Sequence, residues 1–336
     1  MTRPTDGNGA ASLRPVERLE ALILVDNVHD ALSSNPEHVR NETQCLMAAG
    51  MREVSGEAIC CAHWGWSVLL TLHVNGARRT LLLDAGPEAY SIERNAERLG
   101  VDYGAVEALV LSHGHLDHSG GLVRAVELVR AARTDGALPC YLHPGMFRKR
   151  GMKLPTGQVL PLADVCTPEE LRQAGADPVV TDEPQLPLDG LCWVSGEIPR
   201  VTPYEKGLPP HVRRNDADSD WEPDPLIMDE RFLAVHVQDK GLIVFSSCSH
   251  AGIVNVLTEA RRAFPDVPLH AAMGGLHLSG AAIEPIIPDT VRDLAQFDLR
   301  WIVPCHCTGW RAVTALANAF GEERIAPGAV GKEFTF

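Results

Sequence analysis

The sequence predicts an α/β protein with at least two sheets. Short apolar runs of strand length alternate with stretches of helical periodicity along the chain. A tight hairpin signal, Asn75-Gly76, joins two alternating segments. The densest cluster of metal-ligand side chains, from His113 to His118, falls on the loop between a buried strand and a helix. At 336 residues the chain is long enough for one large domain or two modest ones.

The elements follow in order. Residues 1–18 are small and polar and read as a flexible tail; residues 19–336 read as one domain. A buried strand covers 22–25 and ends at Asp26-Asn27. Over 66–74, Trp66, Val68, Leu70, Leu72 and Val74 share one face of a strand, and 79–84 is the return strand. A helix over 88–99 stops at Gly100. The strand 107–112 runs straight into the His-rich loop, and Leu122, Val126 and Val129 mark one face of the next helix. Residues 144–235 hold 13 of the 24 prolines and read as an insertion of short strands, one at 191–195, and long loops. Such an insertion is either a lid over the site or a surface elaboration. An acidic patch, 216–230, lies inside it. Strands at 232–238 and 242–247, with Lys240-Gly241 between them, restore regular structure. A helix over 253–264, a strand over 269–273, a helix over 289–297, a strand over 301–304 and a helix over 311–320 complete the chain.

The formal net charge is −14 and no dense Lys/Arg block offsets it. Such a surface disfavours nucleic acid and anionic membranes as partners and points to a small-molecule substrate. The first apolar run, 21–25, is too short for a signal peptide core or a membrane span. Nine cysteines, an odd number, then fit reduced thiols in a cytoplasm. Cys305-His306-Cys307 has the composition of a metal patch. Yet no CxxC pair accompanies it, and residues i and i+2 of a strand point the same way, so buried thiols are the reading adopted for Cys305 and Cys307.

The run 113–118 reads His-Gly-His-Leu-Asp-His. Imidazole nitrogen and carboxylate oxygen are what zinc and related divalent ions prefer. Four such groups after a buried strand are costly unless something satisfies them. Asp117 and His118 beside the His113/His115 pair suggest two ions, which can clamp a reacting oxygen together. No nucleophile elbow, Walker loop or dinucleotide fingerprint is present. With no obvious covalent nucleophile, a metal-bound hydroxide is the natural attacking group.

The run resembles the HxHxDH signature of the metallo-β-lactamase superfamily. The resemblance implies a four-layer αβ/βα sandwich with the metals at one edge between two sheets. It implies one metal on His113 and His115, and a second on Asp117 and His118, with Asp117 also orienting the nucleophile. Asp84, closing Leu81-Leu82-Leu83-Asp84-Ala85-Gly86, would orient a ligand histidine; capping a turn is its alternative. His306 matches the last metal histidine. The superfamily's bridging aspartate is missing: the corresponding strand ends in Cys248-Ser249-His250, so Cys248, His250 or both would take its place. One or two divalent ions are implied, zinc first, with manganese, iron or nickel as alternatives.

That departure narrows the branch. The segments 248–255, 273–278 and 304–309, with Val25-Asp26-Asn27 and 195–200, are similar to the 7,8-dihydropterin-6-methyl-4-(β-D-ribofuranosyl)-aminobenzene-5′-phosphate synthases and related hydrolases. His277, after a Gly-Gly pair, is a candidate proton donor or substrate contact, or else structural. Glu197 and Arg200 are candidate substrate contacts, with surface ion pairing as the alternative; Arg200 suits a phosphate or carboxylate. His63, Trp64 and Trp66 form either an aromatic wall or core packing. His29, His38, His73, His143, His211, His236 and His270 have no partner motif and read as structural or exposed. The leading expectation is hydrolysis of an ester, lactone, amide or phosphoester. The alternatives are the synthase reaction, in which pyrophosphate is displaced from a dihydropterin, and a metal-stabilised binding or regulatory protein. The oligomeric state is left open.

Overall fold

Strand alternation decides how the layers stack in the computed structural model, which describes residues 13–336. The first sheet has eight strands, in the order β2 (Val39–Arg40), β17 (Glu333–Thr335), β1 (Arg18–Val25), β3 (Ser67–Val74), β4 (Ala77–Leu83), β5 (Val106–Val110), β6 (Pro139–Leu142) and β9 (Asp177–Val180). The β3–β4 hairpin turns at Asn75 and Gly76, whose φ angles of 50° and 75° are the pair that a two-residue type I′ turn demands. The second sheet runs β10 (Trp193–Val194), β13 (Leu233–Val237), β14 (Gly241–Ser246), β15 (Leu269–Gly275) and β16 (Trp301–Cys305). From β4 to β9 in the first sheet, and from β14 to β16 in the second, neighbouring strands are parallel.

The helices are α1 (Glu42–Ala48), α2 (Ala89–Arg98), α3 (Leu116–Ser119), α4 (Leu122–Ala132), α5 (Pro168–Ala174), α6 (Pro187–Gly190, one distorted turn), α7 (Ile253–Ala263), α8 (Ile287–Leu294) and α9 (Trp310–Phe320). Between the two sheets, Ile23, Val68, Leu70, Leu81 and Val110 meet Val235, Ile243, Phe245, Met273 and Val303. The opposite face of the first sheet, with Leu24, Leu69, Leu82 and Leu109, packs on Ile92 of α2, Val126 and Val129 of α4 and Leu171 of α5. The outer face of the second sheet, with Val244, Ala272 and Ile302, packs on Leu257 of α7, Leu294 of α8 and Leu316 of α9. Helix, sheet, sheet, helix is the four-layer αβ/βα sandwich. Among the described residues no helix is long and apolar enough to cross a membrane.

Three parts differ from the sequence expectation. Residues 144–235 are not one insertion: β9 extends the first sheet, α5 packs against it, and β10 edges the second. The separate part is a third sheet, β12 (Trp221–Pro223), β11 (His211–Arg214), β7 (Arg150–Lys153) and β8 (Val159–Pro161). The acidic patch is not all surface either, since Asp229 and Glu230 are buried. The expected tail is shorter than 18 residues where it can be seen: Val16 is fully buried and its N–H donates to the His236 carbonyl at 2.8 Å. Residues 1–12 lie outside the described residues.

Candidate metal centre

The metal-ligand side chains converge where β4, β5, β14, β15 and β16 end. Four residues at or just past those ends, Asp84, Ser249, His277 and His306, hold left-handed backbone, with φ of 57°, 54°, 47° and 46°. Such angles are costly for residues with a Cβ and cluster where a site dictates the chain's path. Each lets a strand turn sharply and present its side chain at the sandwich edge.

His113 and His115 come from the loop after β5, with His113 Nε2 3.1 Å from His115 Nδ1. His250, from the loop after β14, completes a set whose ligand atoms lie within 4.8 Å of one another. Burial first, and then the neighbouring basic groups, hold all three imidazoles well below their ordinary pKa. They are therefore neutral, the form that binds a metal. A second set of the same span is Asp117, His118 and His306, with Asp117 Oδ2 3.4 Å from His306 Nε2. Burial pushes Asp117 up, but His118 and His306 outweigh it and bring its pKa to about 2. Burial likewise opposes the charge on His118, but Asp117 and Asp84 lift its pKa to about 9.

Cys248 lies between the sets, forming one group with His113 and His118 and another with His250 and His277. Cys248 therefore reaches ligands of both sets, whereas His250 groups with His113 and His115 and with Cys248 and His277. Cys248 Sγ is also 3.2 Å from Cys307 Sγ, and these two thiols group with His306. Cys307 thus faces the site, against the expectation of an uninvolved buried thiol. The strand ends at Cys305, and the left-handed backbone at His306 breaks the alternation on which that expectation rested. Gly275 makes room, since a Cβ there would lie 2.6 Å from Cys307 Sγ.

Supporting contacts fix these groups. Asp84 accepts from the Ser112 N–H and hydroxyl at 2.8 Å each and from His118 Nδ1 at 2.8 Å. His211 of the third sheet is fully buried, with Nδ1 2.8 Å from the Asp224 carbonyl and Nε2 3.1 Å from His115 Nε2. Asp229 accepts from the Gly114 N–H at 2.9 Å and is paired with Arg150, whose guanidinium donates to the Gly114 carbonyl at 2.9 Å. Gly114 cannot carry a side chain, because a Cβ would lie 2.5 Å from the Met146 carbonyl. Glu230 accepts from the His250 and Ala251 N–H groups at 2.8 and 2.6 Å. Asp26 accepts from the His306 N–H at 3.1 Å. His211, Arg150, Asp229 and Glu230 carry no local motif and escape sequence reasoning, whereas Cys307 stands in the Cys305-His306-Cys307 patch and reads there as a buried thiol.

The remaining candidates divide. His277 is partly exposed, its ring 4.3 Å from that of His250 and its Nδ1 4.0 Å from Cys248 Sγ. Burial disfavours its charge, but Cys307, Glu230 and Asp117 prevail and raise its pKa. Glu197 is exposed, and Arg200 spends its guanidinium on the Ile198 and Leu226 carbonyls. Trp66 is fully buried between the sheets, whereas Trp64 is 53% exposed with its ring 5.1 Å from His306. His63 pairs with Glu88 at 3.2 Å. A cavity of about 360 Å³ opens beside His250 and His277, walled by Tyr204, Leu276, Leu278 and Ile283, with Lys206 on its lining.

The chemistry of the donor set fits a metal. His118 Nε2 and both ring nitrogens of His250 and His306 are buried and have no hydrogen-bond partner. Orphaned buried polar atoms are rare in native proteins, and here they converge with a carboxylate and two thiols.

Comparison with known proteins places this geometry. Residues 65–133 match the model of the Metallo-beta-lactamase superfamily. The chain is 27% identical over 270 residues to the 7,8-dihydropterin-6-methyl-4-(beta-D-ribofuranosyl)-aminobenzene-5′-phosphate synthase of Methanocaldococcus jannaschii, covering 80% of this chain and 89% of that protein. It is 26% identical over 264 residues to an uncharacterised protein of the same organism, covering 76% and 88%. A crystal structure described as a metal-dependent hydrolase of the beta-lactamase superfamily, Tm1679, superposes with a TM-score of 0.64 at 20% identity, covering 94% of this chain and 98% of the other. The chain therefore carries the signature and the fold of the metallo-β-lactamase superfamily, and over most of its length it is similar to the dihydropterin-linked synthase branch.

Proposed function

We propose that the protein is a metal-dependent hydrolase with a binuclear centre, acting on an ester, lactone, amide or phosphoester of a small molecule. The observation that carries the reading is the convergence of partnerless buried nitrogens, Asp117 and Cys248 beside an accessible cavity. His113, His115 and His250 would hold one ion, and Asp117, His118 and His306 the other, with Cys248 between them and Cys307 as a further thiol. The mixed nitrogen, sulfur and oxygen donors suit zinc. When bound, the ions would act as Lewis acids that acidify water and take up negative charge on the reacting oxygen.

The chain's own residues supply the rest. Asp117, ionised within the ligand set, would accept a hydrogen bond from the attacking water and orient it. His277, on the cavity wall, hands a proton to the leaving group. Leu276, Leu278 and Ile283 bind an apolar portion of the substrate and exclude water from it, and Lys206 meets an anionic group. Nine unpaired cysteines suit a reducing cytoplasm. The partner we expect is this small substrate rather than nucleic acid or membrane.

The similarity to the named synthase favours a second reading, displacement of pyrophosphate from a dihydropterin. That reaction calls for rings to clamp a pterin and for an arginine on the phosphate. Tyr204 alone supplies an aromatic ring beyond the histidines in the lining, and Arg200 is committed to carbonyls, so hydrolysis is the better fit. Metal analysis of the purified protein, with turnover of ester and phosphodiester substrates before and after metal removal, tests the proposal. Stoichiometric metal and turnover that the chelated protein loses and regains support it. A protein that binds no zinc, manganese, iron or nickel and stays inactive when they are added overturns it.

A further inference from the structure

The metal centre uses one end of the sandwich. At the other end, where β15 and β16 begin, a second cavity of about 470 Å³ lies between the two central sheets. It is on the order of 20 Å from the metal-ligand side chains, the length of the seven-residue strand β15. Its lining gathers His38, Lys240, His270 and Arg300 around Trp301.

This gathering runs against the chain's charge balance. With 44 acidic and 30 basic residues, cations should find carboxylates easily. Among the described residues, none of these four side chains makes a hydrogen bond or an ion pair to a carboxylate. Glu37 also lines the cavity, but it is exposed and forms no ion pair with them. His38 Nε2 is buried without a hydrogen-bond partner. Burial first, with Lys240, Arg300 and His270 adding to it, pushes the His38 pKa down to about 4, and burial lowers that of His270 as well, so both imidazoles are neutral donors.

Trp301 holds the cluster together. The His38 ring lies 4.0 Å from its ring, and the Arg300 guanidinium carbon lies 4.4 Å from its ring centroid. The indole therefore fixes the position of two basic groups at small entropic cost. An arginine held this way keeps its planar fork of donors for a tetrahedral oxyanion, and Lys240 adds a point charge. A multivalent anion entering the cavity would meet the Lys240 and Arg300 charges together, with the neutral His38 and His270 rings as further donors. We propose that this cavity is a second binding site, separate from the metal centre, for a small multivalent oxyanion of the phosphate class.

The source of the phosphate, free or esterified, is separable by experiment. The full chain is titrated calorimetrically with inorganic pyrophosphate and with glycerol 3-phosphate. The same titrations are made on K240A/R300A and on H115A, which disables the metal centre instead. We expect saturable one-to-one binding of at least one of these anions to the parent and to H115A, weakened about tenfold or more in K240A/R300A and by added salt. Tighter pyrophosphate marks a free oxyanion, and tighter glycerol 3-phosphate an ester; either order supports the site. Lys240 and Arg300 are exposed, so K240A/R300A should unfold at the parent's temperature or slightly above it, which separates lost binding from a lost fold. No saturable binding of either anion to the parent overturns the proposal. So does parent-like affinity in K240A/R300A, which assigns the binding to the metals.

Discussion

Asp84 Oδ2 stands 2.8 Å from His118 Nδ1, and both side chains are wholly buried. A carboxylate on Nδ1 fixes the imidazole as the tautomer whose Nε2 lone pair faces the cluster. Asp84→Asn keeps the shape and removes the charge. We expect metal affinity to fall about 10- to 100-fold, read by competition with a chromogenic chelator. Unchanged affinity would mean that Asp84 only caps its turn.

His118 and Asp117 make the metal-free protein sensitive to pH in opposite directions. The His118 pKa rises from the ordinary imidazole value of 6.5 to about 9, so its contribution to stability is complete below about 6.5 and is lost as pH climbs through 9. Asp117 is drawn down from 3.8 to about 2, so its contribution is present above about 4 and is lost as pH falls through 2. A metal must displace the His118 proton, so affinity should climb between pH 6.5 and 9 and binding at pH 7 should release about one proton from this residue. Calorimetry in buffers of different ionisation enthalpy measures that release, and a proton count of zero refutes the assignment.

Cys248 and Cys307 differ in their reach. Cys248 groups with ligands of both sets, whereas Cys307 groups with His306 and Cys248. In cobalt-substituted protein, Cys248→Ser should abolish most of the near-ultraviolet thiolate-to-cobalt absorption and Cys307→Ser should weaken it. Spectra identical to the parent for both variants would exclude sulfur from the coordination sphere.

Arg150 and Asp229, each 3% exposed in side chain, clamp Gly114 from two sides. Removing one partner of a buried pair strands the other charge. Asp229→Ala should therefore destabilise the fold by about 3–5 kcal/mol in urea unfolding and loosen metal binding as well. A loss under about 1 kcal/mol would show that the pair contributes no more than a surface ion pair does.

Local chemistry made much of this legible. Asn75-Gly76 announces its hairpin because few other dipeptides hold two left-handed residues. The His113–His118 loop is visible because its ligands are adjacent in sequence and follow an apolar run. Contacts between distant segments left no such trace. Strand β17 is three residues long and gains its place by pairing Thr335 with Glu20. Asp229 and Glu230 look like part of a solvated acidic stretch until backbone N–H groups and Arg150 are brought to them. His211 has no ligand neighbour along the chain and reaches His115 only because β11 folds across. Cys307 was hidden by the assumption of an extended backbone at His306.

The hydrogen bond from the His306 N–H to Asp26 joins positions 280 residues apart, and β1 pairs with β17 beside it. Segments far apart along the chain thus close one structure. During translation the His113–His118 segment leaves the ribosome long before His306 exists, so any ion captured then is held by half a coordination shell. The Asp117, His118 and His306 set forms only once the chain extends past His306, and a product truncated before it would carry the His113–His118 motif without that set.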